Sequence, residues 1–141
     1  MSPADVIAQL LVDENHGTFE GAWRIFVGFM QQDPNNALCV YDTQGKLDGR
    51  MMRTGEQVTH PGVQVVVRGA DYVVTYQKAK DIATGLDAQR KTVVAPDSES
   101  SYVLHNVSRT GDIMHLGVEL EGDRRRHLFT INAVLTLETI Q

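Results

Sequence analysis

An α+β fold is what this sequence predicts: a single domain in which a mixed, mostly antiparallel β-sheet carries two packed helices and a projecting loop or hairpin. Three observations lead there. Two stretches repeat apolar residues at steps of three and four, as the buried face of a helix does. Several others alternate apolar with polar residues or are rich in β-branched ones, the marks of half-buried and fully covered strands. Short clusters of Gly, Pro, Asn, Asp and Ser lie between them, which suits hairpins and tight connections.

The first helix begins at a capping-box-like start, with Ser2 as cap, Pro3 in the first helical position and Asp5 three residues after the serine. Val6, Ile7, Leu10 and Leu11 then share one face, and Asp13-Glu14-Asn15 with Gly17 end the segment. From Trp23 to Met30 the period changes to two, which predicts a strand with Trp23, Ile25, Val27 and Phe29 on one side. The turn-forming run Gln31 to Asn36 leads to a second strand beginning Ala37-Leu38-Cys39-Val40-Tyr41. Between Gly45 and Gly62 the chain is polar and punctuated by glycine, and is expected to be an exposed loop or projecting hairpin. A connection of that length in a compact domain is more often functional than filler, and in an assembling protein it makes a natural contact arm.

Gly62 to Gly69 carries a run of valines between glycines and reads as a central strand. Asp71 is placed to cap the second helix, whose stripe is Tyr72, Tyr76, Ala79, Ile82, Ala83 and Leu86. Strands are then predicted over Lys91–Ala95, Ser101–Val107, Asp112–Leu120 and Arg126–Glu138, as successive antiparallel pairs. In the third, Met114, Leu116, Val118 and Leu120 are expected to share a buried face; in the last, Phe129, Ile131, Ala133, Leu135 and Leu137 are.

A chain of 141 residues buries roughly two-thirds of its unfolded surface in one core. Its 42% hydrophobic and 22% charged residues are those of a globular protein that needs no staple. The net charge of −5 argues against a surface that grips nucleic acid through many phosphates. Cys39 has no second cysteine to pair with, and its apolar neighbours suggest a buried strand in a reducing compartment. No signal-peptide pattern opens the chain and no run approaches the ~20 apolar residues of a membrane helix, so export and membrane insertion are not expected.

Chemistry is sparse. His16, His60, His105, His115 and His127 form no metal-ligand spacing with Cys39 or an acid pair, although His105 and His115 are candidates to face each other across adjacent strands. There is no phosphate-binding glycine loop, dinucleotide fingerprint or nucleophile elbow. No catalytic residue, cofactor or metal is assigned, and no enzyme activity is expected. Arg124-Arg125-Arg126 follows Glu119, Glu121 and Asp123 and has two readings: a solvated hairpin tip with local ion pairs, or an intersubunit ion-pair site. Alternation turns Arg124 and Arg126 to one side and Arg125 to the other. Met51 and Met52, on the polar arm, either mark a binding surface or fold back onto the domain.

Pro61-Gly62-Val63-Gln64-Val65-Val66-Val67-Arg68-Gly69-Ala70-Asp71-Tyr72, with the helix that follows to Leu86, resembles the corresponding block of bacteriophage tail terminators, also catalogued as phage minor capsid proteins. Upstream, the first helix, the Trp23 strand and Cys39 to Gly45 are similar to that family's opening; downstream, Gly111 to Gly117 and Arg125 to Ala133 look like its closing strands. The resemblance covers nearly the whole chain and rests on the order and spacing of structural motifs. Val118 is a departure, since the family pattern has an acid directly after the glycine.

The resemblance implies a structural virion protein of the head-tail joining family, a homo-oligomer that forms a hexameric ring on the finished tail tube of a long-tailed phage. Such a ring stops tube polymerisation and presents a face to the head connector at the neck; it is assembled in the host cytoplasm. Its partners are the tail tube protein and connector proteins, with no membrane and no sequence-specific nucleic acid. The interface residues proposed are Lys46, Arg50, Met51, Met52 and Arg53 on the arm and Arg124, Arg125 and Arg126 at the hairpin tip. The alternatives are another head-tail connector or tail tube protein, and a small-molecule-binding or hydrolytic α+β domain with a pocket between the long helix and the sheet.

Overall fold

A computed structural model describes residues 2–46, 58–95, 101–121 and 123–140. The fold is α+β, with two helices, α1 (Pro3–Asp13) and α2 (Tyr72–Asp87), and the strands β1 (Arg24–Val27), β2 (Ala37–Lys46), β3 (Val58–Gly69), β4 (Thr92–Val94), β5 (Ser101–Arg109), β6 (Met114–Glu121) and β7 (Arg124–Ile140). They form one sheet of seven strands in the order β1-β2-β3-β7-β5-β4, with β6 also paired to β7.

Both helices start as the sequence dictates. The Ser2 hydroxyl accepts from the Asp5 N–H and the Asp5 carboxylate accepts from the Ser2 N–H at 2.8 Å, closing the capping box. A longer-range contact adds to it, because Asp42 of β2 accepts from the Ala4 N–H at 2.9 Å. At the other end of α1 the left-handed residue is Asn15 (φ 61°), and His16 N–H returns to the Leu11 carbonyl. Gly17 is needed for a different reason: a Cβ there would strike the Trp23 carbonyl oxygen. In α2 the Asp71 side chain accepts from the Val74 N–H at 3.0 Å.

The core lies between these helices and one face of the sheet. Val6, Ile7, Leu10 and Leu11 of α1 and Ala79, Ile82, Ala83 and Leu86 of α2 are buried against Leu38, Val40, Val63, Val65 and Val67 and the β7 row Phe129, Ile131, Ala133, Leu135 and Leu137. The buried row expected for β7 holds from Phe129 to Leu137, and Cys39 is buried in a smaller cluster with Phe26 and Ala37 on the other face.

Three expectations are corrected. The strand read from Trp23 to Met30 is only Arg24–Val27, because Trp23 (φ 50°) and Gly28 (φ 77°) turn the backbone at both ends. It runs parallel to β2, so residues 28–36 must cross back along the sheet instead of turning between neighbours. Between Gly45 and Gly62 the strands also run further than expected, β2 to Lys46 and β3 from Val58, with Lys46 opposite His60.

The third correction concerns the last strands. β4 and β5 are an antiparallel pair, but β5 and β6 do not pair with each other. Both lie along the same edge of β7, β5 against residues 133–140 and β6 against residues 124–130, while β3 takes the other edge from residue 127 to residue 138. Arg109-Thr110-Gly111 therefore carries the chain along β7, with Thr110 N–H bonded to the Asn132 carbonyl. As a result His105 and His115 do not meet: His105 Nε2 lies 2.8 Å from Glu138, and His115 packs elsewhere.

Candidate assembly surface

On the sheet face away from the helices, the crossing segment 28–36 is held by arginines. Arg68 is buried in β3 and fans its guanidinium over backbone carbonyls: Nη2 donates to Gln31 at 2.6 Å and to Pro34 at 2.7 Å, and Nε donates to Asn35 at 3.3 Å. Arg126 is fully buried on the neighbouring strand β7 and bonds the Gln32 carbonyl and the Glu119 carboxylate. Arg124 Nη1 reaches Asp33 at 2.5 Å, and that bond holds the Asp33 carboxyl below its usual range. Guanidinium is the group suited to this, since its planar fork serves several oxygens at once.

The arginine run is thus divided by the strand period as expected. Arg124 and Arg126 point at the crossing segment, and Arg125 points the other way with an exposed side chain. Of the arm residues, Lys46 is the last of β2; Arg50, Met51, Met52 and Arg53 lie outside the described residues.

β6 departs from its expected face. A bulge lies between His115 and Gly117: His115 stands opposite Phe129 and Gly117 opposite Leu128, which leaves Leu116 between them. Gly117 supplies the φ of 120° that this needs. The stripe is broken in two by that extra residue. Met114 falls on the same side as Glu119, whereas Val118 and Leu120 fall on the helix side, beyond the point where α2 begins. Instead of being buried, Met114, Leu116, Val118 and Leu120 are 51%, 51%, 47% and 70% exposed.

Beside them sits a group of rings. Tyr72, in the first turn of α2, meets His115 and His127 edge-on at 5.3 Å and Phe129 at 5.4 Å. His115 stacks over Phe129 at 4.8 Å. Val73 and Tyr76 are exposed on the same helix turn. Nothing in the sequence period signals this patch, because the bulge that creates it depends on one glycine.

Among the described residues no three His, Cys, Asp or Glu side chains gather where they could hold a metal. Burial pushes the Cys39 thiol up, and burial with a hydrogen bond to Cys39 pushes Tyr41 up to about 12, the reverse of what an activated nucleophile shows. The helix–sheet interface, where a pocket would have to sit, is filled by Ala79, Ile82 and Leu86. A shallow depression at the end of α2 is lined by Asp87, Arg109 and Asp112, with Asp87 and Arg109 ion-paired at 2.8 Å.

The sequence profile of a family described as bacteriophage tail terminator protein matches residues 7–138. The chain belongs to that family. A tail terminator is a structural component of the virion and works in contact with other tail and head proteins. Among curated proteins none matches this terminator chain. One solved chain is similar over 96% of both chains at 12% identity with a TM-score of 0.43, a likeness that carries no argument about function. No helix is long and apolar enough to cross a membrane among the described residues.

Proposed function

We propose that the protein closes into a hexameric ring on the finished end of the tail tube, stops tube polymerisation there and presents a face to the head connector. The observation that carries this reading is the exposed apolar edge of β6 beside the Tyr72–His115 rings. An open strand edge with four exposed apolar side chains invites association, and a head-to-tail contact that closes on itself satisfies such an edge without an open filament. Arg125 joins the proposed interface at the rim of the patch; Lys46, Arg50, Met51, Met52 and Arg53 join it from the arm, with Arg124 and Arg126 setting the base from which the β6–β7 turn projects.

Light scattering across protein concentration and salt tests this. A mass near six chains supports the ring, and its loss at high salt assigns part of the contact to the charged groups. A monomer at all concentrations that also fails to cap tail tubes overturns it.

A further inference from the structure

We infer that the β6 edge and the Tyr72–His115 rings are the seat for residues 47–57 of a second copy of this chain. The inference rests on the ring reading and names the surface by which one subunit would hold the next. Three observations carry it.

The first is what the seat lacks. β6 pairs with β7 on one side, and on its other side no strand follows among the described residues. Its backbone groups there are free to take an added strand, the mode by which extended segments join a sheet edge. Apolar side chains flank that edge on both faces, Met114 on one and Val118 and Leu120 on the other.

The second is complementarity. The seat is apolar with acids at its margin: Asp71 at the start of α2, Asp112 before β6 and Asp123 after it are exposed, and Arg125 is the one exposed cation of the tip. Residues 47–57 read Leu-Asp-Gly-Arg-Met-Met-Arg-Thr-Gly-Glu-Gln, with three large apolar residues, two acids, and two cations, Arg50 and Arg53, that flank the methionine pair. Leucine and methionine suit the apolar rows, and the cations suit the margin.

The third is position. The arm leaves the sheet where Val58 stands opposite Glu138, and β6 lies at the other end of β7, against residues 124–130. Those ends are separated by about ten strand residues, roughly 33 Å. A segment such as 47–57 doubled back on itself reaches only about 17 Å, so the arm falls short of its own seat. A donor at one end of the subunit and an acceptor at the other suits a head-to-tail ring, in which each subunit gives its arm to the next.

Cysteine pairing between two full-length variants tests the assignment. Both carry Cys39→Ser; one adds Met52→Cys and the other Val118→Cys, and they are mixed, oxidised and sized. Val118 lies outside the core, and circular dichroism checks that each variant folds. The expected result is a mixed disulfide at least about tenfold above the level given by Met52→Cys with Gln77→Cys, an exposed helix control, as contact raises the effective thiol concentration. Oligomers of ring mass without that excess overturn the seat and leave the ring standing. The cross-link in chains that never reach ring mass supports the seat and overturns the ring. Monomers with no excess overturn both.

Discussion

Arg68 Nη2 donates to the Gln31 carbonyl oxygen at 2.6 Å, so a side chain rooted in the middle of the sheet fixes the segment that crosses back from β1 to β2. Replacing it leaves several backbone carbonyls without their charged donor. Arg68→Met is expected to lower unfolding free energy by about 3 kcal/mol, hydrogen bonds to a charged group being worth ~1.5–3 kcal/mol. Urea unfolding with an unchanged slope measures it. Arg68→Lys should rescue little, since an ammonium cannot span the fan of carbonyls; full rescue by lysine would show that charge alone suffices.

Asp33 is held low by its bond to Arg124, helped by the charges of Arg126 and Arg68. Because the folded value lies below the unfolded one, the pair's contribution is complete above the unfolded carboxylate range and is lost as pH falls through the folded value. Arg124→Gln should move the Asp33 carboxyl titration, followed by NMR, up toward the ordinary value. An unmoved titration would mean that Arg124 is not the partner in solution.

Asp71 links the helix start to the ring cluster, because the turn it caps carries Tyr72 onto His127 and Phe129. Asp71→Ala should cost about 1 kcal/mol and Asp71→Asn only a few tenths. Hydrogen exchange should quicken at the Val74 amide first. Equal effects of the two substitutions would point to charge instead of the cap.

At Gly117 a Cβ would meet no atom within 4 Å, yet the backbone stands at φ 120°. Gly117→Ala therefore tests backbone strain without a clash, and is expected to destabilise by about 1–3 kcal/mol, read as a drop in Tm. A neutral result would mean that the bulge relaxes.

Cys39 should be silent to thiol reagents in the folded protein and react only as fast as the sheet opens, since burial both hides the thiol and disfavours the thiolate. Labelling at the rate of a free thiol would contradict its placement.

How far the sequence carried the fold can be followed element by element. The valine run of β3, the alternation of β7 and both helix caps follow from local patterns that burial then satisfies. The parallel sense of β1 and the sharing of one β7 edge by β5 and β6 were not legible, because strand order depends on contacts distant in the chain. The exposed apolar patch on β6 failed to show for a sharper reason. One inserted residue reverses every side chain after it, so the Met114–Leu120 stripe looked like a buried face until the bulge was seen. The arginine run alternates as expected, and Arg126 does pair with nearby Glu119, but Asp33 opposite Arg124 and the Gln32 carbonyl opposite Arg126 are distant in the chain and leave no local mark in the sequence.

β7 is the strand on which β3, β5 and β6 all depend, and it follows each of them in the chain. On the ribosome these three strands emerge with their hydrogen-bonding edges unmet, and only the β1–β2–β3 and β4–β5 pairings can form before residue 124 appears. Closure of the sheet is a late, long-range event, the kind that proceeds slowly and leaves nascent chains open to mispairing with one another.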